Sequence, residues 1–137
     1  MDLPLVVVAG GRSSRMGSDK ALLPFGLFPT LTQFQLDKHK NNFSSLHVSC
    51  KTKDKFDFYA NFIEDTKEFD EYSPLIALYS ILKEFKTPVC ILSVDTPFVT
   101  LDVYEKLFKC KEDFDVVIAK SPFGSHQLCA IDRKSVV

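Results

Sequence analysis

Three largely apolar runs, separated by longer segments with helical periodicity, limit most strongly how this chain can fold. They are Leu5–Ala9, Val89–Val94 and Val116–Ala119. Runs rich in β-branched residues and without polar alternation are typical of strands covered on both faces of a parallel sheet. Because parallel strands are joined through helices, the pattern predicts an α/β protein with one mostly parallel sheet between two helical layers.

The segments between the runs carry helix start signals. Thr30 and Gln33 have the spacing of a capping box and open the first predicted helix. Ser73 followed by Pro74 opens the second helix, and Thr100 caps the third. Each helix therefore follows a strand or precedes one, as the α/β pattern requires.

Weaker patterns lie between the first and second helices. We predict short strands at Leu46–Ser49 and Asn61–Ile63, and a short helix at Asp54–Ala60. With right-handed crossovers, the parallel strands direct their carboxyl ends to one edge of the sheet, where proteins of this class bind ligands. Residues just after each strand are therefore the candidates for function.

Composition is that of one compact domain over residues 1–137. The chain is 45% hydrophobic and 26% charged, with a formal net charge of −1. Since this charge gives no overall field to attract a polyanion, a nucleic-acid polymer or an anionic membrane surface is not expected as a partner. The run Leu5–Ala9 is also too short for a signal peptide or a membrane span.

The cysteines are widely spaced along the chain. They are Cys50, Cys90, Cys110 and Cys129. Without a CxxC pair or a nearby histidine, they give no argument for a zinc or iron–sulfur site. We predict that they are buried thiols and that the protein works in a reducing cytoplasm.

The loop after the first strand has the composition of an anion site. Gly10 and Gly11 allow positive φ and a close backbone approach to a ligand, while Arg12, Arg15 and Lys20 surround the loop with positive charge. The spacing fits neither the G-x-G-x-x-G dinucleotide motif nor the Walker A motif. The alternative is a tight turn with surface cations and no ligand.

A carboxylate follows the second apolar run. Asp95 lies at the predicted carboxyl end of a central strand, before Pro97. One carboxylate together with substrate phosphates is the usual protein site for Mg²⁺. We therefore predict that Asp95 holds Mg²⁺ opposite the loop that begins with Gly10 and Gly11, which we call the glycine loop, against the alternative of a turn former or helix cap.

The stretch AGGRSSRMGSDKALLPFG at residues 9–26 resembles the N-terminal signature of nucleotidyltransferases that attach a nucleoside monophosphate to a phosphate-bearing acceptor. Within that superfamily it is most similar to the molybdenum cofactor guanylyltransferases. Three later stretches agree with the family in order: Ser73–Leu78 is similar to its Gly-Pro-Leu-Ala-Gly segment, Val94–Phe98 to its Cys-Asp-x-Pro-Phe motif, and His126–Ala130 to its His-Pro-Leu-x-Ala strand. The resemblance covers nearly the whole chain.

The resemblance implies a three-layer α/β/α sandwich with a doubly wound, Rossmann-like sheet of the nucleotide-diphospho-sugar transferase type, shortened at the C-terminus. It also implies roles for residues of the predicted edge. The implied nucleotide-binding residues are Ala9, Gly10, Gly11, Arg12, Ser13, Lys20, Asp65 and Asp95, with Asp95 also binding Mg²⁺. Arg15, Lys20 and Asp95 are the implied catalytic residues. Where the family usually has an asparagine after the second strand, this chain has Cys50–Lys53.

The implied activity is transfer of GMP from Mg-GTP to the terminal phosphate of molybdopterin, with release of pyrophosphate. The partners would be GTP, the pterin cofactor and, transiently, proteins that deliver the cofactor or receive it. Cytidylyl transfer to the same acceptor is the near alternative. A shortened nucleotide-binding module without turnover, and a receiver-like signalling domain using Asp95 and Lys120, are the others. A receiver domain should carry acidic residues where this chain has Gly10 and Gly11.

The histidines and the lysines after the second strand are weaker candidates. His39 and His47 have no acidic or cysteine neighbour at a useful spacing, so we predict surface or half-buried side chains without a chemical role. His126 is placed to touch the acceptor, or is an ordinary polar loop residue. Lysines 51, 53 and 55 form a solvated face, unless one of them reaches a phosphate.

Overall fold

The computed structural model describes residues 2–9, 20–67, 74–85, 87–110, 116–121 and 124–132. Helices separate most, but not all, of the strands along these residues. In chain order they are β1 (Pro4–Val8), α1 (Leu31–His39), β2 (Ser45–Cys50), β3 (Phe62–Glu64), α2 (Pro74–Glu84), β4 (Val89–Ser93), α3 (Leu101–Cys110), β5 (Val116–Ser121) and β6 (Gly124–Asp132). Two single 3₁₀ turns, Lys20–Leu22 and Lys53–Lys55, lie in the connections.

The strands form a six-stranded sheet in the order β3-β2-β1-β4-β6-β5. β3, β2, β1 and β4 are parallel, and β6 runs antiparallel to both of its neighbours. The predicted mostly parallel sheet is therefore confirmed. The chain moves outward from β1 to β3 on one side and returns to β4 on the other, so the strand order reverses between β1 and β4. Ligands of doubly wound sheets bind beside such a reversal.

The two faces of the sheet carry separate apolar layers. On one face Leu5, Val7 and Leu92 are fully buried against side chains of α1 and α3. On the other face Val6 and Ile91 pack against α2, which contributes the buried Ile81. Since successive strand residues point to opposite faces, β1 and β4 need apolar residues at nearly every position. This is the reason for the unbroken runs seen in the sequence.

The predicted start of α1 is confirmed. Thr30 has extended backbone and its hydroxyl oxygen accepts from the Gln33 amide at 3.1 Å. At α3 the detail differs, because the Thr100 hydroxyl donates to the Asp102 carboxylate, and the first helical bond is made by the Thr100 carbonyl with the Val103 amide. The Thr100 contact holds the pKa of Asp102 below its usual value. Ser73, the predicted cap of α2, lies outside the described residues.

The helix predicted at Asp54–Ala60 is wrong. Only the 3₁₀ turn at Lys53–Lys55 forms, and the chain then continues without regular secondary structure to β3. Phe56 contacts Phe58 with 5.3 Å between ring centroids and stacks on Phe62 at the same distance. Residues two apart do not share a helix face, so an extended path is what brings these aromatic rings together.

His39 also departs from expectation. It is fully buried at the end of α1, and its ring lies 5.7 Å from that of Phe43. His47 is half-buried, as expected, and its ring contacts Phe85 at 4.9 Å. Burial lowers the pKa of both imidazoles, that of His39 to about 4, where neighbouring Lys38 adds to the effect.

Two buried cysteines agree with the sequence analysis. Cys50 and Cys90 are fully buried free thiols, and burial raises the pKa of Cys50 to about 11. The side chains of Cys110 and Cys129 lie outside the described set. No helix within the described ranges is long and apolar enough to cross a bilayer.

Candidate functional site

The carboxyl ends of four adjacent parallel strands form one edge. Val8 of β1 is in register with Ser49 of β2 and Ser93 of β4, and Cys50 is in register with Glu64 of β3. The residues that follow these strands therefore lie side by side. They are Asp65 after β3, Lys51 after β2, Ala9 after β1 and, one residue beyond Val94, Asp95 after β4. We call this row the carboxyl edge.

Backbone hydrogen bonds extend the sheet into the carboxyl edge. The Ala9 amide donates to the Ser49 carbonyl at 2.8 Å, and the Val94 amide donates to the Val8 carbonyl at 3.1 Å. On the β3 side the Asp65 amide donates to the Cys50 carbonyl at 2.9 Å. The backbone of the edge residues is thus held in place by the sheet itself.

Asp95 presents an exposed carboxylate at the β4 end of the edge. The Ser93 hydroxyl donates to its Oδ1, and the Thr96 hydroxyl donates to the Ser93 carbonyl at 2.7 Å. These contacts orient the turn and one oxygen of the carboxylate. An exposed carboxylate with one oriented oxygen is a suitable ligand for a hard cation.

Asp65, at the β3 end, differs from Asp95. Its side chain is half-buried, and among the described residues its Oδ1 has no hydrogen-bond partner. Burial raises the pKa of this carboxyl group, and the positive charges of Lys51 and Lys55 partly offset the rise. A buried acceptor without a donor costs folding free energy. Asp65 Oδ1 can therefore accept a hydrogen bond from a ligand.

The side chain of Lys55 reaches the carboxyl edge at Ala9. Its ammonium group donates to the Ala9 carbonyl at 2.6 Å, and its Nζ lies 5.1 Å from the Phe56 ring centroid. Ala9 itself is 1% exposed and is the last described residue before the glycine loop. The expectation of a solvated lysine face thus holds for the exposed Lys51 and Lys53 but is wrong for Lys55.

Lys20 lies in the 3₁₀ turn packed against α1, where the described part of the chain resumes after the loop. It is exposed, and its carbonyl accepts from the Leu23 amide at 3.2 Å. The Thr32 hydroxyl of α1 donates to the Ala21 carbonyl at 2.8 Å. One turn further along α1, the Gln35 amide group donates to the Val94 carbonyl at 3.2 Å. The Lys20 turn and the residue before Asp95 are therefore hydrogen-bonded to successive turns of α1.

Several predicted site residues are not among those described. They are Gly10, Gly11, Arg12, Ser13 and Arg15. The structure brings Ala9, Lys20, Asp65 and Asp95 to the side of the sheet where the loop begins. With strands spaced about 4.8 Å apart, Asp65 and Asp95 are separated by three spacings, roughly 14 Å. They cannot share one metal ion.

No group of three or more histidine, cysteine or acidic side chains within the described part of the chain could enclose a metal ion. Across those residues the edge therefore lacks an all-protein cage of the calcium or zinc type. Asp95 with oxygen ligands from a substrate remains as a fit for Mg²⁺, which keeps waters and binds few carboxylates.

Comparison with known proteins decides the family. The profile of the MobA-like NTP transferase domain matches residues 5–137. The chain belongs to this family. The family resemblance seen in the sequence is thereby confirmed. The alternative of a receiver-like signalling domain is wrong. The carboxyl edge described above is accordingly the edge of an NTP transferase domain.

Relatives within the family agree over almost the whole chain. The molybdenum cofactor guanylyltransferase of Campylobacter jejuni (strain RM1221) is 42% identical over 137 residues, 98% of this chain and 71% of that protein. The enzyme of that name from Helicobacter pylori (strain G27) is 30% identical over 142 residues, 99% of this chain and 69% of that protein. The crystal structure of molybdopterin-guanine dinucleotide biosynthesis protein A from Archaeoglobus fulgidus superposes with a TM-score of 0.78 at 22% identity, covering 96% of this chain and 67% of that one. This likeness confirms the Rossmann-like α/β fold.

Two residues that bond to the backbone at the carboxyl edge were not identified from the sequence. Lys55 was one of three similar lysines, and nothing in a run of alternating charges shows which one turns inward. Gln35 lies in a helix predicted from its cap and its apolar positions, and neither feature shows which polar side chains are buried. One sequence feature could have indicated its burial. Thr32, Gln35 and His39 share one helix face, and a polar row on a predicted core helix suggests buried hydrogen bonds.

Proposed function

We propose that the chain transfers GMP from GTP to the terminal phosphate of molybdopterin and releases pyrophosphate. The names of the relatives supply the reaction. The single observation that carries the proposal to this chain is the carboxyl edge, where an exposed Asp95 and a half-buried Asp65 flank the start of the glycine loop. A nucleoside triphosphate has a charged triphosphate at one end and hydrogen-bond donors on its base and ribose at the other. The two carboxylates offer a different environment to each end.

The positions of the two acids assign the direction of the nucleotide. A carboxylate repels phosphates unless a cation lies between them, so Asp65 belongs at the nucleoside end, accepting from base or ribose donors. Asp95 belongs at the phosphate end, with the Lys20 turn attached to the same helix. In this proposal Gly10, Gly11, Arg12, Ser13 and Arg15 would contact the phosphates.

The chemical step needs no nucleophile from the protein. An oxygen of the acceptor phosphate attacks the α-phosphorus of GTP, and the bond from that phosphorus to the bridging oxygen breaks. The electron pair leaves with pyrophosphate. Because both reactants are anions, the protein contributes by positioning them and by neutralising charge, which is the proposed role of Lys20 and Arg15.

Mg²⁺ is the proposed cofactor, and Asp95 would hold it. The ion would neutralise charge on the departing pyrophosphate and orient the phosphate oxygens. The exposed, singly oriented carboxylate of Asp95 supports this assignment. We place the reaction in the cytoplasm, a proposal supported by the free thiols of Cys50 and Cys90.

Pyrophosphate release by the purified chain tests the proposal. With Mg²⁺, GTP and molybdopterin we expect release and formation of the guanine dinucleotide, and with CTP in place of GTP we expect neither. Thermal unfolding gives an independent readout, because a ligand at a hundred times its Kd adds about 2.7 kcal/mol to stability. Stabilisation by GTP without release would instead identify a binding module. Release with CTP alone would identify a cytidylyltransferase.

A further inference from the structure

Helix α1 buries polar side chains where a helix normally buries apolar ones. Thr32, Gln35 and His39 are each 0% exposed, and all three share one face of the helix. Burying a polar group without a hydrogen bond costs free energy, so such a face is not explained by core packing. Within the described residues, Gln35 Oε1 and both ring nitrogens of His39 even lack partners.

The hydrogen bonds that this face does make end on backbone carbonyls of the site. Thr32 donates to Ala21, next to Lys20, at 2.8 Å, and Gln35 donates to Val94, next to Asp95, at 3.2 Å. Further along the helix, Lys38 donates through its ammonium to the Pro97 carbonyl at 2.6 Å. One rigid helix therefore bonds to both turns that carry a charged site residue.

We infer that Gln35 is a positioning residue for Asp95: its buried amide fixes the Val94 carbonyl, and so the turn carrying the carboxylate, relative to the Lys20 turn held by Thr32. This inference rests on the proposed function. Gln35 is not a catalytic residue, because a fully buried side chain bonded to the peptide before Asp95 acts through the backbone.

The expected effect is on geometry rather than on nucleotide affinity. The Val94 amide remains bonded to Val8, so the strand end persists without Gln35. The Val94 carbonyl loses the side-chain donor that holds it and can rotate. A small displacement of a metal-holding carboxylate slows a positioned reaction strongly while leaving the rest of the binding surface intact.

Gln35→Met is the test variant, because methionine preserves length and volume and removes the donor. Tyr104→Phe is the matched control: Tyr104 is 0% exposed and donates to the Ile91 carbonyl of β4 at 2.8 Å, away from the carboxyl edge. Each variant loses one buried hydrogen bond to the backbone of β4 or of the residue that follows it. Only Gln35→Met loses it beside Asp95.

Two measurements on the full chain read the outcome. In steady state, we expect Gln35→Met to lower kcat about tenfold and to raise the Mg²⁺ concentration for half-maximal rate about fivefold, with KM for GTP within about twofold. In electron paramagnetic resonance titrations with Mn²⁺ and GTP, we expect a similar loss of Mn²⁺ affinity. Tyr104→Phe should match the parent in both. Equal effects of the two variants would overturn the inference.

A second variant, Gln35→Glu, guards against misreading a folding defect. The carboxyl group that it introduces can donate to the Val94 carbonyl only while protonated, and burial favours that form. We therefore expect the rate of Gln35→Glu relative to the parent to fall as pH rises from about 6 to about 8. A ratio that stays well below one even at the lowest pH, or that rises with pH, would contradict a donor role.

Failure of the proposed function is distinguishable from failure of this inference. If the parent binds Mn²⁺ with GTP but transfers no GMP, the function is wrong and the Mn²⁺ titration still decides the role of Gln35. If the parent binds no Mn²⁺ in the presence of GTP, Asp95 holds no metal and the inference is overturned.

Discussion

The two ends of the carboxyl edge are built from the same sheet and are nevertheless opposite in character. At the β4 end, Asp95 is exposed, and its turn is bonded to a buried polar face of α1. At the β3 end, Asp65 is half-buried, and the next residue, Thr66, donates through its amide to Ser80 of the otherwise largely apolar α2. The difference indicates that one end suits a cation with phosphates, and the other suits neutral hydrogen-bond donors.

The largest effect that separates the two ends is expected from Asp95→Asn. Loss of the charge that we propose holds Mg²⁺ should lower kcat by about 100-fold or more, since interactions confined to the transition state are lost. The free energy of unfolding should stay within about 0.5 kcal/mol, because the carboxylate is exposed. Pyrophosphate release and chemical denaturation measure the two quantities. Asp54→Asn, another exposed acid after a strand, is the control that should change neither.

The next largest effect is expected at His39 of α1, and it is a loss of folding stability at low pH. Its pKa is lowered to about 4 by burial, with Lys38 contributing, whereas the unfolded chain binds the proton near 6.5. As pH falls from 6.5 towards 4 the unfolded state gains this proton and the folded state does not, so stability is lost, on the order of 3 kcal/mol.

His39→Leu should remove most of that pH dependence, as measured by denaturant unfolding across the same pH range. His47→Leu is the comparison variant, because its imidazole is only half-buried and the opposing charge of Glu84 reduces the lowering of its pKa. Equal slopes for His39→Leu and the parent would show that the buried imidazole does not titrate as described.

At the β3 end we expect a change in binding rather than in rate. Asp65→Asn should raise KM for GTP about tenfold with kcat within about twofold, because a lost uniform contact affects ground state and transition state alike. The amide also removes a carboxylate whose burial is unfavourable, so stability should not fall. Glu64→Gln, at the neighbouring exposed acid, is the control. A drop in kcat with unchanged KM would contradict the assignment of Asp65 to the nucleoside.

The smallest effect is expected between the two ends, at Lys55. Lys55→Met removes the donor to the Ala9 carbonyl but keeps the aliphatic contact with Phe56. We expect KM for GTP to rise only about threefold, because Ala9 loses its side-chain donor while its amide stays bonded to the Ser49 carbonyl. Lys53→Met in the same 3₁₀ turn should leave KM unchanged, because Lys53 is exposed. Identical KM values for the two variants would contradict a role for the Lys55 contact in GTP binding.

The parts predictable from sequence are those set by local pattern. Unbroken apolar runs indicated β1 and β4, and the Thr30–Gln33 spacing indicated the start of α1. The position of Asp95 after β4 followed from the strand alone. These features depend on neighbouring residues in the chain, which is why periodicity and capping rules reach them.

The parts missed depend on contacts between distant segments. The extended path of Phe56 and Phe58 is set by rings that meet Phe62, against a local pattern that favoured a helix. Likewise the burial of Gln35 is set by the Val94 carbonyl, 59 positions away. A polar side chain on a helix has no local signal that tells solvent from a buried backbone acceptor.

The reversal of strand order between β1 and β4 has a consequence for synthesis of the protein. The glycine loop follows β1 and is made early, whereas its partner turn follows β4, and helices α1 and α2 are made between them. A nascent chain on the ribosome thus carries the loop long before the opposing carboxylate exists. A ligand that contacts the residues following both strands can therefore bind only after β4 has paired with β1.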